Sequence, residues 1–403
     1  MLSLSRLTLT DYRNYQQLVW RPDQAGTDGR VSVLTGANGS GKTNLLEALS
    51  MLVPGRGLRG ARLADVQRLG AAGWAVAARL AQDGEAFEIG TGLTTEAGVA
   101  GGATVGASSG GRRVFRLDGE PARNRAAVAE RLCAVWLTPQ MDRLFIEGPS
   151  GRRRFLDRLV LALEPEHARE VAAHDEAMQG RNRLLQNPRT DPAWLAAQES
   201  SMARHAVAVC AARRSLVGRL NGAPQDAPET GFPAATLELA CEITTQLMAH
   251  PALVVEDWLR DQLGRRRASD AAAGGASLGG HRADLLLSDR ATARPASLGS
   301  TGQQKALLIG ILLAHAALIA EVRGEAPLLL LDEPLVHLDT TRREALFAAL
   351  LRLPAPALLT GTDPEPFAPL RGQAGFWRAG EGKLRPDSAF GSEYPGPPAA
   401  ERV

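Results

Sequence analysis

Apolar and polar residues alternate from Leu2 to Thr10, the two-residue period of a half-buried strand, and this predicts a first strand at a sheet edge. Val31 to Leu34 is a short apolar run; a glycine-rich turn follows it, and then a helical pattern over Asn44 to Leu52. Gly84 to Ile89 and Arg113 to Leu117 alternate again, which predicts an antiparallel sheet. Between them Ala97 to Gly111 is rich in Gly, Ala and Ser and reads as a hairpin tip, while Pro386 to Val403 reads as a frayed tail. Downstream, Pro327 to Leu331 has the character of a fully buried parallel strand. A helix is predicted before it over Ala306 to Ile319, and another strand after it over Ala357 to Thr360.

From about Pro149 to Leu263 the pattern is helical but broken by Pro165, Pro188, Pro192, Pro224, Pro228, Pro233 and Pro251. Proline removes an amide donor and clashes with the preceding turn, so the stretch predicts a compact helical lobe and not a coiled coil. Sustained heptads are absent from it.

With 403 residues, of which 44% are hydrophobic, the chain can bury a sizeable core and is expected to form two lobes. The apolar stretch Leu307 to Ala320 is short for a bilayer and carries His315, and Arg6, Asp11 and Arg13 interrupt the N-terminus too early for a secretory signal; the expectation is a cytoplasmic protein with no membrane partner. Cys133, Cys210 and Cys241 are scattered, which argues against a disulfide framework or a structural zinc site. A formal charge of +2 neither demands nor excludes a polyanion. Lysine occurs only at Lys42, Lys305 and Lys383 among 46 basic residues. In so arginine-rich a chain a retained lysine is informative, because arginine cannot replace a compact ammonium inside a phosphate cradle.

Lys42 stands in such a place. Gly36, Ala37, Asn38, Gly39, Ser40, Gly41, Lys42 and Thr43 spell G-x-x-x-x-G-K-T between a predicted strand and a predicted helix. The glycines let backbone N–H groups converge on a β-phosphate, the helix N-terminus adds its positive end, Lys42 reaches the β- and γ-phosphates, and Thr43 ligates Mg²⁺. The implied cofactors are ATP and Mg²⁺. Asp332 and Glu333 end the buried strand at Pro327 to Leu331, where Asp332 would hold the metal shell and Glu333 would orient or deprotonate the attacking water. Lys42 and Glu333 are thus the candidate catalytic pair.

Leu298 to Gln304 (L-G-S-T-G-Q-Q) resembles the signature of ABC-type ATPases, with Ser300, Gly302 and Gln303 matching and Thr301 replacing a glycine. Such a loop offers an anion site to another subunit's γ-phosphate; Ser300 to Gln303 are therefore candidate nucleotide contacts. Leu338 and Asp339 resemble the D-loop of the same dimer interface. Thr362 and Asp363 fall where many relatives carry a switch histidine, which this chain lacks.

Further motifs resemble the RecF family over nearly the whole chain. Leu9 to Tyr15 (L-T-D-Y-R-N-Y) is similar to its opening L-x-x-F/Y-R-N-Y, Pro54 to Arg59 to its P-G-R-S-L-R, and Thr138 to Met141 to a Pro-Glu-Asp-Leu-like loop. Gly151 to Asp157 resembles its R-R-R-F-L-D, and Gly280 to Asp284 its G-P-H-R-x-D with glycine in place of proline. The resemblance implies an α/β fold: an ABC-type P-loop head with a mixed, parallel sheet and a flanking antiparallel sheet, plus an inserted helical arm. The expected division is head at 1–140, arm at 141–276 and head again at 277–403. Gln140 then falls in the loop joining the lobes, as a γ-phosphate-sensing residue beside the metal or as an ordinary loop amide. The family further implies an ATP-dependent homodimer that binds duplex and gapped DNA and works with RecO, RecR and RecA in recombinational repair.

Phosphate contacts are expected from the densest cations. Arg152, Arg153 and Arg154 lead, with Arg181 and Arg183, Arg213 and Arg214, and Arg265 to Arg267 behind them. Aromatic residues, 4% of the chain, are not interleaved with these cations, which favours duplex backbone over a single-strand stacking platform. A transporter-type ATPase subunit and a P-loop small-molecule kinase remain the alternatives.

Overall fold

The computed structural model describes all residues except 95–111, 188, 223–230, 388 and 391–403. The predicted hairpin tip and most of the predicted tail lie outside the described residues.

In chain order the elements begin with β1 (Leu2–Tyr12), β2 (Tyr15–Trp20), β3 (Val31–Thr35), α1 (Lys42–Ser50), β4 (Ala75–Gln82), β5 (Glu85–Thr94), β6 (Arg112–Leu117) and β7 (Glu120–Pro121). There follow α2 (Arg125–Arg131), β8 (Ala134–Leu137), α3 (Pro149–Leu163), α4 (His167–Leu185), α5 (Pro192–Gly222), β9 (Ala235–Ala240), α6 (Glu242–Ala249), α7 (Ala252–Arg265) and α8 (Arg267–Ala273). The chain then forms β10 (Asp284–Asp289), α9 (Thr301–Arg323), β11 (Leu328–Leu331), α10 (Thr340–Arg352), β12 (Ala357–Gly361), β13 (Gly375–Gly380) and β14 (Lys383–Pro386).

The chain divides into two compact units, one built from Met1–Pro139, Glu229–Gly231 and Ile319–Val403 and the other from Gln140–Pro228 and Phe232–Leu318. In the first, a mixed sheet has the order β14-β13-β3-β12-β11-β8. All its pairings are parallel except that of the edge strand β14. Strands β3, β8, β11 and β12 are buried along their whole length, as expected of parallel strands covered on both faces. The second sheet, β2-β1-β4-β5-β6-β7, is antiparallel throughout. Helix α1 packs against strands of both sheets. The first strand is not an edge: β1 lies between β2 and β4, because the tight turn at Arg13 and Asn14 folds β2 back onto its outer side.

The second unit holds α3 to α8 around a core that includes Met202, Ala206, Cys210, Ile243, Leu259 and Leu263. Prolines stand at helix starts: Pro192 opens the 31-residue α5, where Asp191 accepts the Ala193 amide, and Pro251 caps α7. Residues 277–318, read from sequence as head, belong to this unit. The cause is pairing across the insertion, since β10 joins β9 in a two-stranded antiparallel sheet and Lys305 Nζ meets Asp142 Oδ2 at 3.1 Å.

Helix α9 is, among the described residues, long and apolar enough to cross a membrane by length and composition alone, yet 61% of its apolar window is buried inside the protein.

Candidate functional site

The glycine-rich turn is shaped by close contacts. A β-carbon at Gly36 (φ 145°) would lie 2.5 Å from the Ala379 carbonyl oxygen, and one at Gly41 (φ 108°) would lie 2.6 Å from Asn14 Nδ2 and 2.7 Å from Tyr15 Oη. Neither the space nor the backbone angle admits a side chain. Lys42 opens α1 and is buried; its ammonium donates to the carbonyls of Gly36 at 2.6 Å and Ala37 at 3.0 Å. Burial lowers its pKa, opposed by the carboxylates of Glu333 and Asp332.

Strand order brings the acids to this turn. β12 separates β3 from β11, and Leu331, the last residue of β11, is in register with Leu359. Asp332 is buried; its Oδ1 accepts from the Thr43 hydroxyl at 3.0 Å and from the Thr360 hydroxyl at 2.7 Å. Glu333 follows with φ 48°, a left-handed conformation that non-glycine residues avoid, and its amide donates to the Thr360 hydroxyl at 2.9 Å. Thr43, Asp332, Lys42 and Glu333, predicted from sequence as one site, therefore stand together. The donor set fits a metal-bound triphosphate: a hydroxyl and a carboxylate suit a hard divalent cation, and a buried ammonium on a glycine-lined turn suits phosphate oxygens.

The tip of the β1–β2 hairpin braces this cradle. Tyr15 Oη donates to the Gly41 carbonyl at 3.1 Å, and Asn14 Oδ1 accepts from Asn44 Nδ2 at 2.7 Å. Arg13 forks onto Glu47 of α1 with two bonds of 2.8 Å and donates to the Asp65 carbonyl at 2.6 Å. From the segment after α1, Arg59 donates to Asn44 Oδ1 at 2.8 Å, and the Leu58 amide donates to Ser50 at 2.7 Å. Arg113 covers the C-terminal end of α1, donating to the carbonyls of Met51, Val53 and Gly55. Burial lowers its pKa to about 10. Sequence singled out Arg13, Asn14, Tyr15 and Arg59 as motif members without roles. It gave Glu47, Arg113 and Thr360 no part in the site.

The signature-like loop lies in the second unit at the start of α9. The Ser300 amide donates to Gln303 Oε1 at 2.9 Å, and the Gln303 amide donates to Ser300 Oγ at 3.3 Å. This reciprocal capping box satisfies two amides at the helix end and leaves the Ser300 hydroxyl proton free for an outside acceptor. Ser300, Thr301 and Gln303 are exposed. Asp339 caps α10 by accepting the Arg342 amide at 2.8 Å. Gln140 is exposed in a single 3₁₀ turn after β8.

Most of the arginine clusters are committed to the fold. Arg152 pairs bidentately with Asp284 at 2.7 and 2.9 Å, and Arg153 donates to the Ala283 carbonyl at 2.8 Å. Arg213 forks onto Asp157 at 2.7 and 2.8 Å and reaches the Gly280 carbonyl at 2.6 Å. The motifs at Gly151 to Asp157 and Gly280 to Asp284 thus interlock. Arg181, fully buried, binds Glu199, Asp270 and the Leu263 carbonyl. Arg265, Arg266 and Arg267 pair with Asp261, Glu242 and Glu199. Of all these arginines, Arg154, Arg183, Arg214 and Arg265 are exposed, the last while paired with Asp261.

Residues 3–355 match the family described as RecF/RecN/SMC N terminal domain. The chain is 46% identical over 385 residues to the DNA replication and repair protein RecF of Mesorhizobium japonicum, covering 95% of this chain and 97% of that protein. The chain belongs to the RecF family. A second relative, the DNA replication and repair protein RecF of Rhizobium etli, is 44% identical over 386 residues, with 95% and 98% covered. Among solved structures, the recombination mediator protein RecF described as RecF-ATPrS in the RecFOR pathway superposes with a TM-score of 0.79 at 18% identity, over 96% of this chain and 98% of that one. Its RecF-ATP counterpart gives 0.76 at 18%, over 96% and 99%. These two share the fold: an ABC-type head of mixed and antiparallel sheets with a helical insertion.

Proposed function

We propose that this RecF-family protein is an ATP-dependent switch in recombinational DNA repair, dimerising on Mg²⁺-ATP, gripping the duplex backbone, and releasing it on hydrolysis. The observation that carries the reading is the meeting of Lys42, Thr43, Asp332 and Glu333 at the ends of two parallel strands, β3 and β11, with β12 between them. Mg²⁺, when bound, would neutralise phosphate charge, and Thr43 and Asp332 would hold it. The Lys42 ammonium would exchange the Gly36 and Ala37 carbonyls for phosphate oxygens. Water adds to the γ-phosphorus, the bond to the β-phosphate oxygen breaks to leave ADP and phosphate, and the Glu333 carboxylate takes the water's proton.

Ser300, Thr301, Gly302 and Gln303 would complete the site of a second copy, with Asp339 at the same interface. The solvent-facing Ser300 hydroxyl at a helix N-terminus supports this part. Nucleotide binding and dimerisation are then thermodynamically linked. Arg154 supplies backbone contacts, with Arg183, Arg214 and Arg265 the other exposed members of the clusters. The solved relatives are described as part of the RecFOR pathway, and on that basis RecO, RecR and RecA are the proposed partners, in the cytoplasm at gapped duplex.

Light scattering with and without ATP tests the switch. Wild-type protein should double in mass with ATP, Lys42→Met and Lys42→Arg should stay monomeric, and Glu333→Gln should remain a dimer after washing. A wild-type monomer under all conditions would sink the proposal, and duplex binding unchanged by nucleotide would favour the kinase alternative.

A further inference from the structure

We infer that Thr360 is a positioning residue for hydrolysis, one hydroxyl that locks the metal-side carboxylate and the water-side glutamate into a single geometry. The inference rests on the ATPase reading above. Thr360 lies at the end of β12, 1% exposed. Its hydroxyl donates its single proton to Asp332 Oδ1 at 2.7 Å and accepts the Glu333 amide at 2.9 Å. Both capacities of the group are used in fixed directions, so the hydroxyl cannot rotate without breaking one bond. The Glu333 amide bond holds the peptide plane between the two acids. That plane precedes a glutamate at φ 48°, a conformation that relaxes unless something over-determines it.

Thr43 also donates to Asp332 Oδ1, at 3.0 Å, but it makes no bond to Glu333; Thr360 alone of these two hydroxyls joins both acids. A cavity of about 140 Å³ borders Glu333 and Thr360, lined also by Thr362, Asp363 and Phe367. This is room for several waters next to the glutamate. Asp363, on the wall of this cavity, accepts the Glu365 amide at Oδ1 at 3.1 Å. The Glu333 amide is thus held from the strand beneath it.

The test compares full-length Thr360→Val, isosteric but unable to donate or accept, with Thr360→Ser, which keeps both functions. Each is made alone and in a Glu333→Gln background, and Mg²⁺-ATP affinity and single-turnover hydrolysis are measured. Thr360→Val should bind ATP within about 3-fold of wild type but hydrolyse it at least about 10-fold more slowly, and Thr360→Ser should recover most of the rate. In Glu333→Gln, Thr360→Val should add less than about 2-fold, because the residue acts through that glutamate. Wild-type turnover by Thr360→Val, or an undiminished effect without Glu333, would overturn the inference while leaving the ATPase reading standing. Wild-type protein that binds no ATP would overturn the ATPase reading itself. Should Thr360→Val melt early, Thr360→Cys, similar in size and weak in hydrogen bonding, takes its place with the same expected split between affinity and rate.

Discussion

Arg13 and Glu47 face each other through two hydrogen bonds of 2.8 Å, Nε to Oε2 and Nη2 to Oε1, which tie the β1–β2 hairpin tip to the helix that carries Lys42. The Glu47 side chain is 1% exposed, and its other cation, Arg59, stands 3.6 Å away. The hydrogen bond to Glu47 raises the Arg13 pKa despite partial burial. Removing the fork leaves a buried carboxylate with one distant partner.

Arg13→Ala is therefore expected to cost about 3 kcal/mol of stability in urea unfolding, with the slope unchanged. Arg13→Lys should recover only part, since a point charge cannot make both bonds. Pairing Arg13→Ala with Glu47→Leu should restore most of the loss, as the uncompensated charge disappears. A single-mutant cost under about 1 kcal/mol would show that Arg59 alone satisfies Glu47.

Neighbouring arginines on α3 should separate cleanly. Arg152 is held by Asp284 with its side chain 12% exposed, whereas Arg154 faces solvent. Arg152→Ala should destabilise by about 3 kcal/mol through the stranded Asp284. Arg154→Ala should change stability by less than about 0.5 kcal/mol. In duplex binding with ATP, Arg154→Ala should lower the logarithmic salt slope by about 0.9, the value of one phosphate contact. An unchanged slope would remove Arg154 from the DNA surface.

The phosphate loop was legible because its chemistry is contiguous: Gly36 to Thr43 form one turn, and Asp332 and Glu333 announce themselves as acids ending an apolar strand. Strands buried on both faces, such as β3 and β11, were legible for the same reason, since an unbroken apolar run has no solvent face. Thr360 gave no signal, because a threonine closing a strand is ordinary until the neighbouring strand supplies Asp332. The arginine clusters misled in the opposite sense. Local density suggested DNA, but Asp284 lies 132 residues from Arg152 and Asp157 lies 56 from Arg213. Only the fold reveals that these cations are paired. The grouping of residues 277–318 escaped for a similar reason, since it depends on β10 finding β9 across an intervening set of helices.

One buried and one half-buried histidine give the helical unit a pH dependence whose sign can be worked out. His315 is fully buried, with Nε2 donating to the Leu159 carbonyl at 2.9 Å, and burial drives its pKa down to about 3. His281, on the Ala276 carbonyl at 3.0 Å, is lowered by burial to about 4. Both rings are neutral when folded, while in the unfolded chain they titrate near 6.5. Unfolding then takes up protons below that value, so the two rings' contribution to stability is level above about pH 6.5 and falls as pH drops toward 4. The slope approaches about 1.4 kcal/mol per pH unit for His315 well below pH 6.5. Asp157 stays ionised across this window; burial would raise its pKa, but hydrogen bonds from His167 and Arg213 bring it below its ordinary value. His315→Gln keeps an amide donor for Leu159 and cannot titrate, so it should remove one histidine's share of the slope between about pH 6.5 and 4.5 in urea unfolding. A variant as acid-sensitive as wild type would mean that His315 takes up no additional proton on unfolding.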